Sequence, residues 1–160
     1  MWRHKNIYAI GGLENIGFDQ ADALTVLSSQ GVGLFNCLTG ERFFRQETSW
    51  WENYEPMAGT ISGYDILEGS TIRICGLDGP DFLSKETRDG WILECTGPVP
   101  DDPPFEKYQV NKIFLTHQSR GHHEFICQDG GCELRAFGFS ATGNSLVVAT
   151  SCNLVIWSRV

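Results

Sequence analysis

The sequence predicts an all-β fold of antiparallel meanders with one short helix. Three observations carry this reading. Short runs rich in β-branched and aromatic residues recur along the chain, the 18 glycines and small polar residues break them up, and one three-segment pattern occurs near both ends. With 160 residues, 41% of them hydrophobic and 20% charged, the chain has material for one globular domain with its own core. The domain is expected to span residues 1–160.

The first clear meander is "ALTVLSS", "GVGLFN" and "ERFFRQ", with turns at Gln30-Gly31 and Thr39-Gly40. In "TSWWENYEP", Ser49 and Glu52 have capping-box spacing and Pro56 follows closely, which predicts a short helix or turn. "STIRICGL" and "GWILECT" read as strands that could pair as a hairpin across the polar loop "DGPDFLSKETRD". "GPVPDDPPFE" is rich in proline and acid and reads as a surface connector. "NKIFLTH" and "HEFICQ" form a strand pair, and "LRAFGFS", "SLVVATS" and "LVIWSR" supply the last three strands.

The repeated pattern aligns Gly17 to Phe35 over Gly138 to Trp157 with a one-residue gap. Gly17 and Phe18 match Gly138 and Phe139, Leu24 matches Leu146, Val26 matches Val148, and Ser29 matches Ser151. Each copy runs from a Gly-Phe corner through a turn into an apolar strand, a small-polar turn and a second strand ending in an aromatic residue. Blade-like units are therefore expected near residues 16–45 and 134–159.

The stretch "FSATGNSLVVATSCNLVIWS" resembles a WD40 blade. Phe139 and Ser140 begin its turn, Gly143 closes it, and Trp157 takes the aromatic place of the signature dipeptide, with Ser158 where that family usually has Asp. Blades need about 40 to 45 residues, so the chain has room for three or four at most. The resemblance implies a small propeller-like or sandwich domain that offers a binding surface.

Twelve Lys and Arg stand against 20 Asp and Glu, a formal charge of -8. Such a surface repels phosphate backbones, so direct nucleic-acid binding is not expected, and a basic protein partner is favoured. No apolar run nears the roughly 20 residues that span a bilayer, and the start lacks the apolar segment of a signal peptide, so no membrane contact and a cytoplasmic location are expected. The six cysteines (Cys37, Cys75, Cys95, Cys127, Cys132 and Cys152) are scattered, several within strand patterns, and are expected to be reduced.

No catalytic motif emerges: there is no Gly-x-Ser-x-Gly, no phosphate loop and no local Cys-His signature. His117, His122, His123, Cys127 and Cys132 form the most metal-like cluster, but they lack the paired spacing of structural zinc sites, so neither metal nor cofactor is expected. The stretch "SWWENYEPM" differs. Trp50, Trp51 and Tyr54, set among Glu52 and Glu55, supply apolar anchors inside a negative rim. Asp78 and Asp81 in the middle loop, and Asp101 and Asp102 in the proline-rich segment, are further candidate contacts.

The whole pattern, "GVGLFNCLTGERFFRQ" near the front, "DGWILE" in the middle and the closing blade, resembles a group of small bacterial proteins, some of which are immunity partners of antibacterial toxins. The resemblance implies a non-enzymatic inhibitor of a cognate toxin. A nuclease toxin needs a basic surface for its substrate, which an acidic inhibitor would match. The alternatives are a general protein-interaction module, and an enzyme whose site no motif captures, which loss of turnover on substituting Asp78 and Asp81 would favour.

Overall fold

The computed structural model describes residues 1–160, and nearly all of its regular structure is strand. β1 (Arg3–Ala9) precedes a meander of β2 (Leu13–Phe18), β3 (Ala23–Ser28), β4 (Gly31–Asn36) and β5 (Glu41–Gln46). The short strands β6 (Tyr54–Glu55), β7 (Thr60–Ser62), β8 (Thr71–Arg73) and β9 (Cys75–Gly76) come next. They are followed by β10 (Ile92–Pro100), β11 (Gln109–His117), β12 (His122–Gln128), β13 (Leu134–Phe139), β14 (Ser145–Thr150) and β15 (Asn153–Ser158). These make four sheets with strand orders β5-β4-β3-β2-β9, β6-β7-β8, β10-β11-β12 and β1-β15-β14-β13. All the strand pairs are antiparallel.

The two end segments share one register. Leu24 of β3 faces Phe18 on one side and Phe35 on the other, and Leu146 of β14 faces Phe139 and Trp157 in the same way. The turns match too. Asp19 N–H donates to Ala23 O at 2.9 Å while Asp19 Oδ1 accepts from Ala23 N; Ser140 N–H donates to Ser145 O at 3.0 Å while Ser140 Oγ accepts from Ser145 N. The closing sheet takes its fourth strand from the other end of the chain, with β1 pairing β15 from Arg3↔Ser158 to Ala9↔Asn153.

Side-chain alternation explains why β3 and β14 are buried along their whole length. Leu24 and Val26 point from β3 toward Val147, Ala149 and Ile156, while Leu27 points the other way toward Trp50, Ile61 and Ile72. In β14, Leu146 and Val148 point instead toward Trp91, Leu93, Ile113 and Leu115. Three cores therefore join the sheets in a row: β6–β8, the first meander, the closing sheet, then β10–β12. A strand with a core on each face has no place for a polar side.

Several expectations are corrected. The strands of "STIRICGL" and "GWILECT" do not pair: β8 pairs β7, β9 pairs β2, and β10 pairs β11. Their buried residues belong to different cores, Ile72 with Trp50, Cys75 with Leu13, and Leu93 with Trp91. The proline-rich segment is not wholly a connector, because β10 continues to Pro100 through a register shift between Thr96 and Val99. β10 is an edge strand, so a residue with no N–H costs it nothing on the open side.

In place of one short helix there are three 3-10 turns, Trp50–Asn53, Asp65–Leu67 and Gln118–Arg120. Ser49 makes no side-chain cap; the first turn is held by Glu52 N–H donating to Ser49 O at 3.1 Å. The cysteines are not all reduced, since Cys132 and Cys152 form a disulfide across Cα atoms 6.1 Å apart. Ser151 N–H donates to Glu133 O at 2.7 Å and brings their two loops together, a meeting that sequence spacing does not announce. Cys37, Cys75, Cys95 and Cys127 are free thiols.

Candidate functional site

The residues singled out as partner contacts separate by burial. Trp50 is only 2% exposed and donates its indole N–H to Ser28 O at 3.0 Å, so it fills the core beside Ile61 and Ile72. Trp51, the next residue of the same turn, is 52% exposed and meets Trp50 edge to face. Glu52 and Glu55 are exposed, and neither side chain forms an ion pair. Tyr54 is half-buried, and its hydroxyl donates to Asp78 O at 3.2 Å.

The middle-loop acids bind the fold to itself. Asp78 accepts from Asn15 Nδ2 at 2.7 Å and returns its own N–H to Asn15 Oδ1, and its charge together with burial raises the Glu14 carboxyl above its usual range, burial being the larger cause. Asp81 accepts from Leu83 N and Phe137 N, both at 3.0 Å, and pairs with Lys85 Nζ at 2.9 Å. Asp101 accepts from Gln128 Nε2 at 3.1 Å, whereas Asp102 is exposed and reaches Lys112 at 3.3 Å.

The histidines and cysteines once grouped by sequence do not converge. The buried His117 ring lies between Asp89 O and Ser119 Oγ, His122 pairs with Glu124, and His123 stacks on Phe114. Cys132 is held in the disulfide, and burial pushes the Cys127 thiol up to about 12.

Two surfaces remain as candidate sites. One is the exposed part of residues 46–72, a segment that contains Glu47, Glu52, Glu55, Asp65 and Glu68 and, between Arg45 and Arg73, no Lys, Arg or His. Met57 at 95% exposure and Ile66 at 73% join Trp51 as large apolar groups open to water on this segment. Met57 sits in the β6–β7 turn and Ile66 in the Asp65–Leu67 turn, so short connections present them. The charge bias is visible in the sequence, but the two added apolar residues are not, because only the packing tells which hydrophobic residues the small β6–β8 sheet cannot cover.

The other surface is a cleft of about 880 Å³ where the Gly-Phe corners of the two repeats meet, bounded by Phe18, Phe139, β8 and the connector from Phe82 to Asp89. Arg73, Arg88 and Arg159 line it. Arg159 forms two hydrogen bonds to Asp89, and they hold the Asp89 carboxyl well below the usual carboxylate range. Sequence reading missed this cleft, since five separate segments build it.

Compared with family models, curated proteins and solved structures, the chain matches none. No helix is long and apolar enough to cross a membrane.

Proposed function

We propose that the protein is an immunity-type inhibitor, which binds a basic antibacterial toxin, a nuclease, and occludes it without doing chemistry. The observation that carries this reading is the segment of residues 46–72, which holds five carboxylates and no cationic side chain between Arg45 and Arg73 and leaves Trp51, Met57 and Ile66 exposed. A nuclease surface must be cationic to hold its substrate. An acidic face then steers encounter, and desolvated aromatic and aliphatic anchors slow dissociation. On this reading Trp51, Glu52 and Glu55 make the contact, with Asp102 on a second projection, and the complex forms in the cytoplasm.

The same reading takes the four sheets as a propeller-like row of blades, supported by the common register of the two end units and by β1 completing the last sheet. That architecture also suits the second reading, an interaction module that recruits another protein without neutralising a toxin. Co-expression with the product of the adjacent gene separates the two. Rescue of growth together with a complex of nanomolar affinity supports inhibition, a complex of only micromolar affinity without rescue supports recruitment, and no complex at all rejects both.

A further inference from the structure

We propose that the arginine-lined cleft between the two repeats binds a small organic oxyanion, a phosphate or carboxylate carried on an apolar body. Its volume, about 880 Å³, lies within the range of about 300–1,000 Å³ usual for ligand sites. Three of the chain's eight arginines line it, although the protein as a whole carries a charge of -8. The question is which of those charges are free.

Arg159 is engaged with Asp89 and lies over the Trp2 ring. Arg73 is not engaged. Its side chain makes no hydrogen bond or ion pair, and its guanidinium lies 4.0 Å above the Phe82 ring, an arrangement that fixes the plane of the group and leaves its N–H edges open. Arg88 is also without a partner.

Three carboxylates, Asp19, Glu86 and Asp89, line the cleft beside the three arginines. Asp19 Oδ1 accepts from Ala21 N at 2.8 Å and Ala23 N at 2.9 Å, and Asp89 is held by Arg159. Asp19 and Glu86 have no cationic partner, so two unpaired guanidiniums share the cleft with two carboxylates, one of them turned to the N–H groups of its own turn. Phe139 and Leu83, both buried, give the cleft an apolar floor. Forked donors above an aromatic surface suit a ligand that places an oxyanion beside an apolar group.

The test is titration calorimetry at low salt on the whole protein, with three probes that each carry an oxyanion on an apolar body: AMP, phenyl phosphate and phenylacetate. At least one should saturate at one site per chain, and Arg73→Ala and Arg88→Ala should each weaken it about tenfold or more, while Arg73→Lys recovers part of the loss. Arg45→Ala, on the edge strand β5 and outside the cleft lining, should bind as the unaltered chain does. A response to AMP or phenyl phosphate alone identifies a phosphate site, and a response to phenylacetate alone a carboxylate site. The proposal is overturned if no probe binds more tightly than about 1 mM, or if both alanine variants, folded by near-ultraviolet circular dichroism, bind unchanged. No partner protein enters this experiment, so its result is independent of the inhibitor reading.

Discussion

Asp22, in the turn before β3, accepts a hydrogen bond from Ser145 Oγ at 2.8 Å, across 123 positions of sequence. Its second oxygen accepts from Thr142 Oγ1 at 2.6 Å, and the residue is 2% exposed. One carboxylate from the first repeat thus ties down the equivalent turn of the other. Asp22 also sits at a φ of 62°, in the left-handed region. Asp22→Gly keeps that conformation free of strain but leaves the buried Ser145 hydroxyl without its acceptor, while the exposed Thr142 hydroxyl turns to water, and should cost about 1–3 kcal/mol in urea unfolding. Asp22→Ala should cost about 1 kcal/mol more, because alanine adds the left-handed strain. A glycine variant within about 0.5 kcal/mol of the parent would show that the bridge is not structural.

The Gly-Phe corners are repeated for a packing reason. A Cβ on Gly17 would strike the Arg73 carbonyl, and one on Gly138 would strike the Leu83 side chain, so each corner lets a segment distant in sequence cross against its backbone. Gly17→Ala and Gly138→Ala should each destabilise by about 1–3 kcal/mol, because a carbonyl or a buried leucine has to move. Gly11 has open space around its Cβ position, and Gly11→Ala should leave the midpoint almost unchanged in the same measurement.

These corners also show what the sequence makes legible. Alternation and turn residues locate β3, β4, β5, β11 and β12, and the last three strands, because each pairs with its neighbour in sequence. The repeat alignment even carries the register, since Leu24 and Leu146 face equivalent partners. What stays hidden depends on remote contact. The pairing of β1 with β15 joins the chain ends, β9 chooses β2 and not the nearby β10, and Cys132 meets Cys152 only after two loops are bonded. Composition also treats Trp50 and Trp51 alike, and only the Ser28 carbonyl behind the first of them decides which is core.

The thiols should react in an order set by burial. Cys132 and Cys152 are joined across a separation of 20 residues, and replacing both with serine should cost about 3 kcal/mol on the loop-entropy estimate. Of the free thiols, Cys95 alone is exposed, while burial pushes Cys75 up to about 11 and Cys127 up to about 12. Desolvation also raises Cys95, because it disfavours the thiolate, so the reactive form appears at higher pH than in a free cysteine. Iodoacetamide on the native protein should therefore modify Cys95 first, at a rate still climbing beyond about pH 9. Prior modification of Cys37 or Cys75, located by peptide mass mapping, would contradict this order.

Trp50 and Trp51 offer the clearest separation of stability from binding. Trp50→Ala empties a space bounded by Ile61 and Ile72 and strands the Ser28 carbonyl, a loss of about 3–5 kcal/mol. Trp51→Ala removes a half-exposed ring that touches Trp50 only at its edge, so it should cost under about 1 kcal/mol. If residues 46–72 carry the partner, Trp51→Ala should weaken the complex tenfold or more, which is at least about 1.4 kcal/mol. Glu52→Lys and Glu55→Lys should act mainly on the association rate, by an amount that shrinks as salt is added, because exposed charges steer encounter over a screened distance. Surface plasmon resonance against the partner at two salt concentrations distinguishes these effects. A partner that binds all three variants as it binds the parent chain makes its contact elsewhere on the molecule.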